Sequence, residues 1–539
     1  LRLTPGFRLI PPDNVDPTPA TEVGEEDGRQ MPVHHPPAPP LELFDVSTTI
    51  DPGYIISLIR NLLPPNVMRS HSEGVGVIDA KTEASNVPRM EGGVTSSYEN
   101  VESTEPSSRT EPTDTLNRID KYDCLEGANA ESCQKVEHSN ALLRDQACEE
   151  CGCILWDLAA SRKHAEFMVQ NYLLEVLLAN ITVSESMRIK EISLGIIGNL
   201  TCHEVPAKQI VSVNGLLGIV LDQLFVDDTP CLCETFRLLT IGLQGSEGIT
   251  WAEAVQSEQI LIRLLWIAEN TLNPQLMEKS LKLLLAIIES ELEVAPAILS
   301  SLINLGLPAI LINILSFEMR KLMSEQIPER YHVLDLVLRV LEALTTIDDY
   351  SKEICLIEEL FKMVYDLVRL PDKAEVAECC VTAVVLLANI LGDAPDLASR
   401  LTQDLDFLQG LLDVLPFASD DLEARSAIWS ILDQVLFRVQ DVKSPLALHQ
   451  YVSVLSRNSE LIEDELLNQQ LDRPEGPETL VACGANSHAR DVALKRIINI
   501  LNRWLSSNDR DGGDFGIGND LPDDRSVNRL LDICCDHVK

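Results

Sequence analysis

One helical pattern recurs along this chain at a nearly fixed interval, and that interval limits the fold more than any other feature. The stretches ILWDLAA, IIGNLTC, TIGLQGS, LLAIIES, LEALTTI, LLANILG and LDQVLFR each close an apolar run. Their late apolar positions, Leu158, Leu200, Leu243, Ile288, Leu344, Ile390 and Val435, are separated by 42, 43, 45, 56, 46 and 45 residues. Within the runs the apolar residues step by three and four, as in Ile189, Ile192, Ile196 and Leu200, or Leu232, Phe236, Leu239 and Leu243; this is the spacing of one helix face. Val376, Cys380, Ala383, Leu387 and Ile390 repeat it, behind a capping pair of Asp372 and Glu375. Several runs carry a second apolar stripe (Leu194 and Ile197), so these helices belong between neighbours in a stack. NGLLGIVLDQL and LGLPAILINIL each start an apolar helix after a glycine, Gly215 and Gly306, which lie 91 residues, or two periods, apart. The one long step contains SFEMRKLMSEQIPERY, a charged insertion at 316–331.

A helical unit of forty-odd residues has armadillo/HEAT length. Such a unit cannot bury its own apolar face, so units stack into a curved rod with a concave surface. The expected fold is therefore all-α: an armadillo/HEAT-like α-solenoid, a right-handed superhelix of about seven repeats over 138–506. An acidic, Gly-rich loop and a C-terminal helix follow at 507–539. Aromatic residues are only 4% against 45% hydrophobic, which suits cores of stacked helices better than β-sheets.

The first 137 residues differ. PVHHPPAPP and SSYENVESTEPSSRTEPTD lack the apolar surface needed to offset ordering entropy, so an acidic, Pro-rich disordered tail is expected. One island, TTIDPGYIISLIRNLLPP, breaks the pattern. Asp51 can cap a helix whose first residue is Pro52, and Ile55, Ile59 and Leu62 fall on one face. A short amphipathic helix near 51–63 needs a partner, either the body of the chain or another protein.

The formal net charge of −41 argues against direct nucleic-acid or anionic-membrane binding and suits a partner with basic segments. The apolar stretch Val294–Phe317 is long enough for a bilayer, but Asn304, Gly306 and Pro308 in its middle predict two short helices. The fourteen cysteines are too sparse for a disulfide scaffold, and those in helical patterns (Cys202, Cys355, Cys379, Cys380, Cys534, Cys535) are expected to be reduced and buried or half-buried.

Cys148-Glu-Glu-Cys-Gly-Cys153 places three thiols in six residues. Cys148 and Cys151 share a helix face while Cys153 points elsewhere, and no second closely spaced pair completes a tetrahedral zinc site. Gly152, inside the same helix, has no local explanation. The loop NDRDGGDFGIGNDLPDD fails the EF-hand template, with Gly513 at the fifth position and Asp514 at the sixth when counted from Asp509. No G-x-S-x-G, P-loop, H-E-x-x-H or G-x-G-x-x-G opening a helix is present, and the expectation is a non-enzyme without metal or cofactor. The sequons at Asn180 and Asn199 fall in helical patterns, which argues against glycosylation.

CGCILWDLAA, RIKEISLGIIGNLTCHE and LFVDDTPCLCETFRLL resemble the N-terminal core of the serum amyloid A-like family, a group of armadillo-type repeat proteins unrelated to the secreted apolipoprotein. The resemblance covers about 145–290, and the apolar island near 51–63 also has a counterpart in the family. It implies a nuclear or nucleo-cytoplasmic protein linked to proliferation, without established catalytic residues; the long Pro-rich tail suggests a plant member. The residues matching family motifs give the candidate protein-binding set Trp156, Asp157, Asn199, Glu234 and Arg237. These same residues could instead stitch neighbouring repeats together. The expected function is a protein–protein interaction scaffold. The alternative is an importin-α-like adapter reading basic peptides. Against it, the Trp-then-Asn ladder is missing: Trp156 is followed four residues later by Ala160, Trp429 by Asp433, and Asn199 and Asn389 are preceded by Gly195 and Val385.

Overall fold

In the computed structural model, residues 50–64, 128–439, 444–471, 480–508 and 523–538 are described. The rest of the tail, the Gly-rich loop and the expectations attached to them lie outside the described residues. Helix α1 spans Pro52–Asn61. An inner row then runs α2 (Ala128–Ala159), α3 (Met187–Thr201), α4 (Thr229–Gln244), α5 (Pro274–Ile288), α6 (Tyr331–Thr345), α7 (Ala377–Asp393), α8 (Leu422–Val439) and α9 (Leu480–Asn508), each packed on the next. The C-terminal helix α10 (Asp524–His537) closes on α9. Other helices between successive members, such as Leu173–Val183, Glu258–Asn270, Leu307–Ser324 and Glu358–Val368, cover the flank of the row. The architecture is an all-α, armadillo-like solenoid. Stacked units approach most closely on the inside of their curve, so the tightly packed row lines the concave side.

Local chemistry starts and stops these helices. Asp228 accepts from the Cys231 amide and Asn273 from the Leu276 amide, both at 3.0 Å, while Pro230 and Pro274 occupy first turns where their missing N–H is harmless. Gly215 (φ +82°) and Gly306 (φ +95°) take left-handed backbone directly ahead of the apolar helices expected after them. The turn at Gly306 bends Ala295–Asn304 against Leu307–Ser324 by 68°, so the uncharged stretch forms two helices. Among the described residues one helix, Ala374–Asp393, is long and apolar enough to cross a membrane, yet 67% of its most apolar 18-residue window is buried among its neighbours.

Four details differ from the sequence-based expectation. Helix α2 begins at Ala128, upstream of the boundary placed at 138, because its first turns are polar residues of good helix propensity with no apolar stripe to mark them. The inner row has an eighth member, α9, which packs on α8 and buries Ala493, Leu494, Ile497 and Leu501. Asp372 caps a 3₁₀ turn by accepting from the Ala374 amide (3.2 Å), and Glu375 faces the Tyr331 hydroxyl rather than completing a capping box. Cys202 and Cys535 are exposed, whereas Cys355, Cys379, Cys380 and Cys534 are buried. The insertion at 316–331 continues the helix Leu307–Ser324 and ends in a turn at Pro328–Arg330, tied back by Arg330 to the buried Glu318.

Candidate protein-binding surface

The first three inner helices are joined by side chains reaching across one repeat. Trp156 of α2 lies over Gly195 of α3, where a Cβ would stand 2.1 Å from the indole Cζ2. Asn199 donates to the Trp156 carbonyl (3.0 Å), a residue 43 positions away. From α4, Arg237 donates to Glu234 (2.7 Å), to Asn199 Oδ1 (3.2 Å) and to the Gly195 carbonyl (2.9 Å), its guanidinium occupying the space over Gly198. Four of the five candidate residues therefore form a single network across α2, α3 and α4. Asp157, next to Trp156, is exposed and stands one helical turn after Cys153. Sequence patterning marked these residues but could not show that they meet, because each bond spans a full repeat.

This network predicts that Arg237→Ala destabilises the fold by about 2–3 kcal/mol, since Glu234 and the Gly195 carbonyl lose their donor in a half-buried setting. Arg237→Lys should recover little of this, because one ammonium cannot replace a three-way planar fork. Urea unfolding midpoints of the three proteins measure the effect.

Further along the row, α5–α8 carry polar residues at helical spacing: half-buried Glu278 and Lys282; buried Asp335 with half-buried Arg339 and Glu342; exposed Glu378 with half-buried Thr382; and half-buried Glu423. Lys282 pairs with Glu278 (2.7 Å), and Thr382 donates to Asp335 across one repeat (2.7 Å). Burial raises the Asp335 carboxyl above its ordinary value, against the hydrogen bond from Thr382 and the charge of Arg339. Burial also pushes Glu342 up to about 8, and the carboxylates of Glu423, Asp421 and Asp335 push in the same direction while Arg339 opposes them. Glu289 is raised by burial as well. The centre of the concave side is thus a crowded acidic region in which Arg339 is the cation facing several carboxyls. Sequence patterning singled out none of these residues; the signal it offered was the recurrence of acidic residues one repeat apart on otherwise apolar helices.

Two of the three thiols face separate partners. Cys148 faces the Leu62 carbonyl (3.9 Å), and Cys153 faces Arg188 (3.8 Å) on α3. Burial pushes Cys148 and Cys233 up to about 11 and Cys231 to about 12, so these thiols are held protonated. Among the described residues no group of three or more His, Cys, Asp or Glu side chains is arranged to hold a metal ion. Both sequon asparagines are used internally: Asn180, 1% exposed, donates to Leu62, and Asn199 to Trp156.

The chain is 30% identical over 228 residues to "Protein saal1" of Danio rerio and 28% identical over 137 residues to "Protein SAAL1" of Homo sapiens. It is similar to the SAAL1 proteins. The matches cover 41% and 25% of this chain, and 47% and 29% of the respective relatives, so the chain spans about half or less of the relatives it matches. These relatives are animal proteins and do not bear on a plant source. No family model matches the chain. Among solved structures, a designed armadillo repeat protein in complex with the peptide (KR)4 overlaps 45% of this chain and 94% of its own, with a TM-score of 0.36 and 14% identity. The solenoid assignment rests on the repeat packing described above, not on this overlap.

Proposed function

We propose that the protein is a non-enzymatic, SAAL1-type scaffold that holds basic segments of partner proteins in its acidic concave groove, in the nucleus or cytoplasm. The observation that carries this reading is the carboxyl-rich region around Arg339, where α6, α7 and α8 gather Asp335, Glu342, Glu378 and Glu423 along one polar stripe. A Lys or Arg side chain entering there relieves the mutual repulsion of these carboxyls and replaces the hydration they have lost. The free state of the cysteines at eleven described positions is consistent with a reducing compartment. In this reading Trp156, Asn199, Glu234 and Arg237 hold the register of the first repeats, and Asp157 extends the acidic surface toward the N-terminal end of the row.

The importin-α-like adapter reading has less support. Asn199 is committed to Trp156 and Arg237, and Asn389 donates to Thr345 (3.2 Å). Each amide already spends an N–H on the neighbouring repeat.

Fluorescence anisotropy with a labelled Lys/Arg-rich peptide tests the groove. The Glu342→Gln/Glu423→Gln variant is expected to bind at least about tenfold more weakly, a loss of about 1.4 kcal/mol, and binding should weaken with added salt. Equal binding by the variant would refute the groove. The pH dependence has a definite direction. Below about 8 the free protein keeps Glu342 protonated, and a bound cation favours its carboxylate, so binding releases a proton and tightens as pH rises from 6 to 8.5. Stability runs the other way. Between 4.5 and about 8 the folded chain binds the Glu342 proton and the unfolded chain does not, so stability falls as pH rises through this window. Glu342→Gln is expected to raise Tm at pH 8.5 and to change it much less at pH 5.

A further inference from the structure

The first helix is seated on the body of the chain as a ligand would be. It carries its own folding signals: Asp51 accepts from the Gly53 amide (2.9 Å), and Pro52 opens the helix. One face is buried, through Ile55, Leu58, Ile59 and Leu62, at relative positions i, i+3, i+4 and i+7; the other face, with Tyr54 at 46% exposure, is open. This is the anchor pattern of an amphipathic helix lying in a groove.

The groove is built to receive it. Gly152 of α2 has no side chain where Leu62 and Ile192 close in: a Cβ there would stand 2.7 Å from Ile192 Cγ2 and 3.4 Å from Leu62 Cδ1. The Asn180 side chain, 1% exposed, aims its amide into the groove and donates to the Leu62 carbonyl (2.9 Å), one of the carbonyls that the end of a helix leaves without an intrahelical donor. Cys148 meets the same carbonyl. These contacts span 118 and 86 residues of sequence, with residues 65–127 between α1 and α2. Chain connectivity therefore does not dictate the docking; the side chains of the groove do.

We propose that this groove, at the N-terminal end of the solenoid and apart from the acidic concave face, is a helix-binding site. Helix α1 is its internal ligand, and α1 exchanges for a short partner helix with apolar residues at i, i+3, i+4 and i+7 and a free carbonyl at its C-terminal end. Tethering gives α1 a high effective concentration, so a partner engages only when it outcompetes α1 or when α1 is displaced. Asn180 and Gly152 set the specificity, the first by reading the helix end and the second by admitting a large side chain opposite it.

The test uses the full chain and a fluorescein-labelled peptide of sequence 48–65. Ile55→Asp/Leu58→Asp vacates the groove. This variant is expected to bind the peptide at least about tenfold more tightly than the unmodified chain, and Asn180→Ala added to it should weaken that binding. A peptide carrying the same two aspartates should not bind. Concentration-dependent dimers of the unmodified chain that disappear in the vacated variant would assign the exchange to α1 of a second copy and overturn the heterologous partner. No peptide binding by a vacated variant that keeps its helical circular dichroism and main melting transition would overturn the proposal. Should that variant fail to fold, alkylation of the unmodified chain decides. Cys148, covered by α1, is expected to react at least about a hundredfold faster than Cys231, which is buried in the stack, beyond the about tenfold that their thiol acidities alone would give; a difference of about tenfold or less would show that α1 does not open by itself and would overturn exchange.

Discussion

Arg330→Ala is expected to destabilise the protein by about 3–5 kcal/mol, one of the two largest single-residue effects the structure predicts. Glu318 lies on the helix Leu307–Ser324 with its side chain 1% exposed, and Arg330 reaches it with two nitrogens from the turn that ends the insertion. The guanidinium also stands 5.3 Å from the centre of the Phe317 ring. Removing the arginine leaves a carboxylate in an apolar setting with no cation in contact, and the destabilisation is mostly the cost of that stranded charge rather than the worth of the pair. The double variant Glu318→Met/Arg330→Met should therefore be more stable than Arg330→Ala alone, because it removes both charges and keeps the volume. Guanidinium denaturation of the three proteins gives the answer directly. A single variant no less stable than the double would show that Glu318 finds water or another donor.

Gly410→Ala is the second, with an expected loss of about 3 kcal/mol or more from a single methyl group. A Cβ at position 410 would stand 2.3 Å from the Val368 carbonyl oxygen and 3.2 Å from Arg369 Cα. Both obstacles are backbone atoms at the end of the preceding outer helix, so relief requires the helix Leu405–Leu412 to move away from its neighbour. Buried Phe407, Leu408, Leu411 and Leu412 would lose contact with it. Gly195→Ala makes a useful contrast. The contact there is closer, 2.1 Å, but the obstacle is the Trp156 ring, a half-buried side chain that can swing outward. Its melting temperature should fall less than that of Gly410→Ala, while Trp156 fluorescence shifts toward that of an exposed indole.

Much of the inner row is legible in the amino-acid sequence. Leu158, Leu200 and Leu243 mark the ends of three inner helices because each is buried by local helical periodicity that composition cannot disguise. Gly215 and Gly306 are legible for a similar reason, since left-handed backbone favours glycine, while Tyr172 and Gln326 adopt the same region with no such mark in the sequence. The candidate site is legible only as residue types. Nothing in the spacing of Trp156, Asn199 and Arg237 tells that the asparagine and the arginine bond to neighbouring repeats. Gly152 has no local reason to be glycine; its reason is Leu62 and Ile192, which arrive from 90 residues upstream and 40 downstream. The early start of α2 escapes the periodicity because its first turns leave no apolar stripe to follow, and α9 escapes it because Ile497 lies 62 residues after Val435, off the period.

By itself, then, the sequence determined the class of object: a period of forty-odd residues with two-sided apolar helices can bury its surface only by stacking. It also determined where most inner helices end and that α1 would form only against a partner. Tertiary structure decided which partner that was, which asparagines became internal fasteners, and that acidic side chains one repeat apart converge around Arg339. The division has one physical cause. Helix periodicity is written over a few residues, whereas the bonds that build both grooves join residues from about 40 to 118 positions apart, and those pairings exist only once the repeats have stacked.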